Sequence, residues 1–233
     1  MSLSTHAFLI ITWINPVKMQ WIKKASGSIS PELSRILAEI SSKWGISVPH
    51  VYVIDWRKIK IANAFQMGIN NYHIFFSNYL IENLTPGEIA AIMTHELAHA
   101  RMKHVAWLNV IQWSLTFAAI NLFGFAFVFL NQGAALIINQ GAAVIIATSL
   151  IIAGSIISLG GIGVILPFIQ RRFESAADLE AIKIIDGHFL ISALEKLAHL
   201  NLTPSKFPKY SNMSHPSTNQ RVERIRLAMA ENS

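Results

Sequence analysis

Residues 105–170 run for 66 positions without one Asp, Glu, Lys, Arg or His. A helix crosses a bilayer with about 20 predominantly apolar residues. The stretch therefore holds at least two crossings, and a soluble domain of this size could not bury it. Its middle carries an octamer twice, NQGAALII at 131–138 and NQGAAVII at 139–146, differing at one position. Two short copies make no solenoid, but the Asn-Gln-Gly triplets are turn punctuation. The expectation is a transmembrane helical hairpin, with spans at about 105–130 and 141–169 and the bend within 131–141. Gly154, Ser155, Ser158, Gly160, Gly161 and Gly163 give the second span a face for close packing in lipid. That face meets the first span or another subunit, which leaves a homo-oligomer open.

Composition supports a membrane protein: 52% of residues are hydrophobic and only 14% charged. The net charge is +6, yet the positive residues form no groove with interleaved aromatics, so nucleic acid is not the expected partner. Lys18, Lys23, Lys24, Arg101, Lys103, Arg171 and Arg172 instead flank apolar segments, where cytoplasmic boundaries gather positive charge. With no cysteine, any zinc must be held by histidine and carboxylate. Residues 1–25 are an apolar or interfacial segment, broken at Asn15-Pro16 and too short before that break to span by itself.

The chemistry concentrates in His95-Glu96-Leu97-Ala98-His99. Two histidines four apart share one face of a helix, so both imidazoles can reach one metal ion. The glutamate between them is then placed as a general base for water. The bland alternative is an amphipathic helix with one buried and one exposed histidine. Context favours the metal: Thr85, Pro86 and Glu88 spell an N-cap, a first-turn proline and a capping box ahead of the motif.

Catalytic zinc typically takes three protein ligands. Glu174 and Asp178 lie four apart, with small residues between them that allow a close helix approach. Glu174 is the candidate third ligand, and Asp178 the partner for a ligand histidine's other ring nitrogen. The alternative is a solvated helix face, or partners for Arg171 and Arg172. If His95, His99 and Glu174 meet one ion, the apolar stretch crosses the membrane an even number of times. Its two charged ends then share a side, which the positive-inside rule makes cytoplasmic.

Taken in order, Asn63-Ala64-Phe65, the 95–99 motif, the apolar double span, Glu174 to Asp178 and a late His215-Pro216-Ser217-Thr218-Asn219-Gln220-Arg221 make a specific series. Over residues 26–230 the chain resembles the HtpX-like integral-membrane zinc metallopeptidases, gluzincins related to the CAAX prenyl proteases. The resemblance implies an α+β, mostly helical, zincin-like catalytic domain with a small antiparallel sheet, interrupted by the hairpin. The catalytic parts are then residues 26–104, with sheet and motif helix, and 171–233, with the third ligand and C-terminal helices. It implies one Zn2+ at His95, His99 and Glu174, with Glu96 as base. It also implies His215 and Arg221 beside the metal, although both can be read as a turn and a basic surface. Substrate backbone would pair with an edge strand near Asn63, Ala64 and Phe65, or near residues 72–77. Such a protein is multi-pass in the cell membrane and cleaves membrane or membrane-adjacent proteins in quality control. Family members usually carry two N-terminal spans, whereas this chain has only its short apolar start. Rival readings are a scaffold with a structural metal and a prenyl-protein protease.

Overall fold

Helix boundaries fall where capping chemistry puts them. The computed structural model describes residues 25–27, 29–69, 71–131, 140–201 and 216–231. Residues 1–24, His215 and most of the expected bend lie outside them. After strand β1 (Ala25–Gly27), helix α1 (Pro31–Trp44) opens on the Ser30 side chain and closes at Gly45, whose φ of 64° suits glycine. Leu33, Leu37 and Ile40 are buried, with Ile36 and Trp44 packed at the margin of the core.

Three further strands follow: β2 (His50–Ile54), β3 (Ala64–Met67) and β4 (His73–Ser77). The sheet order is β1-β2-β4-β3. The outer pairings are antiparallel, as expected, but β2 and β4 run parallel, so the sheet is mixed. The reason is topological: β3 folds back on β4 as a hairpin and lies outside it, leaving β4 to run alongside β2. β3 starts only at Ala64, whereas the sequence from Lys58 to Phe65 reads as one strand. Asp55 accepts from the Arg57 backbone N–H and side chain, and Lys60 takes a left-handed φ of 49°. That turn chemistry uses up the start of the strand.

Short helix α2 (Asn78–Asn83) leads to the motif helix α3 (Pro86–Arg101), whose full capping box joins Thr85 and Glu88. Helices α4 (His104–Asn131) and α5 (Gln140–Gly160), a wide π-helical turn (Gly161–Ile165) and α6 (Leu166–Ala181) follow. The chain ends in α7 (Gly187–Asn201) and α8 (Thr218–Glu231). Gly187 starts α7 rather than ending the helix before it, because Asp186 caps α7 by accepting from the His188 N–H at 2.9 Å.

Two compact units result. One comprises the described residues up to Ala106 and those from Arg171 on, and its core sits between α3, α1, α7, α8 and the sheet. The other comprises Trp107–Gln170. Two helical stretches, His104–Val128 and Val144–Ala181, are long and apolar enough to cross a membrane. Within the second unit, a Cβ added at Gly154 would lie 3.1 Å from the Phe123 ring, and one at Gly161 2.7 Å from Leu115. The expected small-residue face thus meets the first span at these two positions, while Phe117, Phe125, Phe127, Ile145, Ile156 and Leu159 point outward.

Candidate metal centre

Helix α3 is wedged against α1, α7 and β3, which leaves its motif little freedom. Helix spacing stacks His95 and His99 on one face, and their Nε2 atoms lie 3.2 Å apart. Glu174 comes from α6 and puts Oε2 3.6 Å from His95 Nε2 and Oε1 3.5 Å from His99 Nε2. All three donors fall within 4.8 Å of one another. Ligands held about 2.0–2.1 Å from a tetrahedral zinc sit about 3.3–3.5 Å apart. The observed spacings fit such an ion, as does a donor set of two imidazoles and one carboxylate.

Neither carboxylate belongs to a solvated face: Glu174 is 8% exposed and Asp178 only 1%. Ala177 is fully buried between them, so small residues do admit the close approach. Asp178 Oδ1 lies 2.9 Å from His95 Nδ1, on the far side of the ring from the other donors. Arg221 reaches in from α8 and donates two hydrogen bonds to Asp178, Nε to Oδ2 at 2.7 Å and Nη2 to Oδ1 at 2.6 Å. Its Nη1 is 3.6 Å from Glu174 Oε2. Arg221 is therefore part of this cluster, whereas Arg224 and Arg226 of the same helix are exposed.

Electrostatics follow from the burial of these charges. Burial disfavours a proton on His95, but Asp178 and Glu174 outweigh it and raise the ring to about 10. Burial dominates at His99 and lowers it to about 3. For Arg221 burial opposes the charge, but Asp178, Glu174 and Glu96 more than restore it. The two imidazoles thus part in direction because Asp178 stands directly behind His95, whereas His99 has no carboxylate at its Nδ1. Glu96 is half-buried between buried His95 and Leu97.

Asn63, Ala64 and Phe65 stand at the sheet edge, and no strand flanks β3 on its outer side among the described residues. Their backbones differ in direction. Asn63 O accepts from the Ser77 N–H at 2.9 Å, and the Asn63 N–H donates to Ser77 Oγ at 3.0 Å. Antiparallel alternation then turns Phe65 toward β4 and Ala64 and Gln66 outward. One step earlier, outward-facing Ala62 is already occupied, since the Asn201 side chain bonds its N–H at 3.0 Å and its C=O at 2.8 Å. Residues 72–77 have no free edge, because β4 is paired on both sides.

From sequence alone His104 reads as a residue of the membrane boundary, at the edge of the apolar stretch. His104 places Nδ1 2.9 Å from His99 Nδ1 and is buried. The signal was a third histidine five residues after the motif, but uninterrupted helix spacing points it away from His99.

Known proteins resemble this chain in both sequence and fold. The profile of peptidase family M48 matches residues 29–228. Protease HtpX of Legionella pneumophila (strain Corby) is 28% identical over 216 residues, covering 82% of this chain and 74% of its own. The protease HtpX homolog of Burkholderia mallei (strain SAVP1) is 26% identical over 209 residues, covering 88% and 68%. The crystal structure of S. mikatae Ste24p superposes with a TM-score of 0.66 over 94% of this chain at 21% identity. At that identity the likeness concerns the fold, and the chain spans just 55% of the length of Ste24p.

Proposed function

The chain belongs to peptidase family M48, and we propose that it is a membrane-anchored zinc-dependent endopeptidase. Its substrates on this reading are membrane or membrane-adjacent proteins, and its role is their quality control. The observation that carries the reading is the convergence of His95 Nε2, His99 Nε2 and a Glu174 oxygen at zinc-ligand spacing. The family supports a protease, and the two apolar spans support the anchor.

His95, His99 and Glu174 would hold the ion. Zinc supplies Lewis acidity, which acidifies water and polarises a carbonyl. Glu96 takes a proton from water onto its carboxylate as the water oxygen attacks the peptide carbonyl carbon. It then delivers that proton to the amide nitrogen as the C–N bond breaks. Asp178 orients His95 through Nδ1, and Arg221 neutralises Asp178 and Glu174 rather than meeting the substrate. An extended substrate pairs with the N–H and C=O groups of Ala64 and Gln66, and Asn201 at Ala62 limits that edge at one end.

A Glu96→Gln variant of the detergent-solubilised chain tests this. It is expected to bind one zinc per chain yet cleave casein at least about 100-fold more slowly than the parent, the usual scale of general-base loss. Parental activity in that variant would leave the mechanism without its base. Full activity after chelation, or a parent that never binds zinc, would remove the metal.

A further inference from the structure

His104 is buried at the metal cluster, and the proposed reaction makes no use of it. The chain takes an unusual path to bring it there. At the end of α3 the Met102 N–H donates to Ala98 O at 2.9 Å and the Lys103 N–H to Ala100 O at 3.1 Å. Lys103 adopts a left-handed φ of 54°, and α4 begins at the next residue. Had α3 simply continued, residue 104 would lie about 140° around the helix from His99, given about 100° per residue. The break swings it back until the two Nδ1 atoms are 2.9 Å apart. The His104 ring is 4% exposed and stacks on Phe173 at 4.1 Å with an interplanar angle of 4°. Phe173 directly precedes Glu174, so one turn of α6 carries both the third donor and the plate that fixes His104.

Proton placement follows from the atoms involved. His99 turns Nε2 toward His95 and Glu174. A neutral imidazole that offers a lone pair at Nε2 carries its proton on Nδ1. Across 2.9 Å, that Nδ1–H finds the Nδ1 lone pair of His104, whose own proton is then on Nε2. His95 has the matching arrangement with Asp178 at 2.9 Å. Each imidazole thus has a partner behind it, one a carboxylate and the other a second imidazole.

We propose that His104 is a positioning residue that accepts the Nδ1–H of His99 and so fixes the tautomer and ring orientation with which His99 binds zinc. Partners of this kind hold ligand histidines in other metal sites. The inference rests on the zinc reading of His95, His99 and Glu174.

The full chain in detergent, stripped of metal, provides the test. Zinc affinity is measured by competition with a chromophoric chelator, and ligand geometry by the visible spectrum of the Co(II)-loaded protein. His104→Phe keeps an aromatic face for Phe173 but offers no acceptor, whereas His104→Asn returns an acceptor near the Nδ1 position. The phenylalanine variant is expected to raise the zinc Kd by about 10- to 100-fold and to shift the Co(II) bands. The asparagine variant is expected to recover most of both. Parental affinity in His104→Phe would overturn the proposal, and so would equal losses in the two variants, which would mark packing alone. A parent that binds zinc no better than His99→Ala would instead overturn the metal reading, and this inference with it.

Discussion

The Asp178 carboxylate is nearly sealed from solvent, and what makes it tolerable there is the two-pronged bond from Arg221. Removing one partner of a buried ion pair strands the other. Arg221→Ala is therefore expected to lower unfolding stability by about 3–5 kcal/mol. Arg221→Lys keeps the charge without the planar fork and should recover only part of it. Thermal or denaturant unfolding in detergent measures both, and a silent Arg221→Ala would show that the pair holds nothing together. At this scale, what could be read from sequence was whatever sits within one helix. The four-residue spacing of His95 and His99, and of Glu174 and Asp178, is helix geometry and needs no tertiary knowledge. Arg221 could be placed beside the metal only through family likeness, since nothing local distinguishes it from Arg224. His104 was missed because the left-handed Lys103 that redirects it is a single-residue departure from helix periodicity.

Between elements, Glu88 joins α3 to α7. It closes the capping box with Thr85 and accepts hydrogen bonds from Ser192 at 2.5 Å and Lys196 at 2.8 Å. Burial pushes its carboxyl up, but the Lys196, Ser192 and Thr85 bonds prevail and bring it from 4.5 to about 2. A folded-state value below the unfolded one makes the ionised group stabilising above about 4.5, and that contribution drains away as pH falls toward about 2. Melting temperature should drop across that window in the parent and less steeply in Glu88→Gln. The variant should also be about 1–3 kcal/mol less stable near neutrality. Identical pH profiles would refute the assignment. Other element boundaries were readable for the same local reason: Ser30, Gly45 and Thr85 cap where they stand in sequence. Gly187 is ambiguous in sequence because a glycine can follow one helix or begin the next, and the Asp186 side chain decides. The parallel β2–β4 pairing depends on contacts far apart in the chain, which no local pattern encodes.

For the whole molecule, the hairpin sets the arrangement that matters. The chain has no cysteine, so accessibility can be read from single introduced thiols. Glu32 and Glu223 are exposed in the non-hairpin unit, one before the apolar stretch and one after it. Glu32→Cys and Glu223→Cys are expected to react with an impermeant thiol reagent from the same side of sealed vesicles, the cytoplasmic one. Labelling from opposite sides would mean an odd number of crossings and no shared ion. Two long apolar helices were legible because 66 uncharged residues admit few alternatives, whereas the meeting of Gly154 with Phe123 and of Gly161 with Leu115 needed coordinates. Arg221, finally, follows His95 only after both spans have been made. During synthesis a ribosome must pass it before the Asp178 carboxylate gains its counter-charge. Until the last helix emerges, the Asp178 carboxylate lacks the partner that lets it be sealed from solvent, so this corner of the fold closes only once the C-terminal segment has been made.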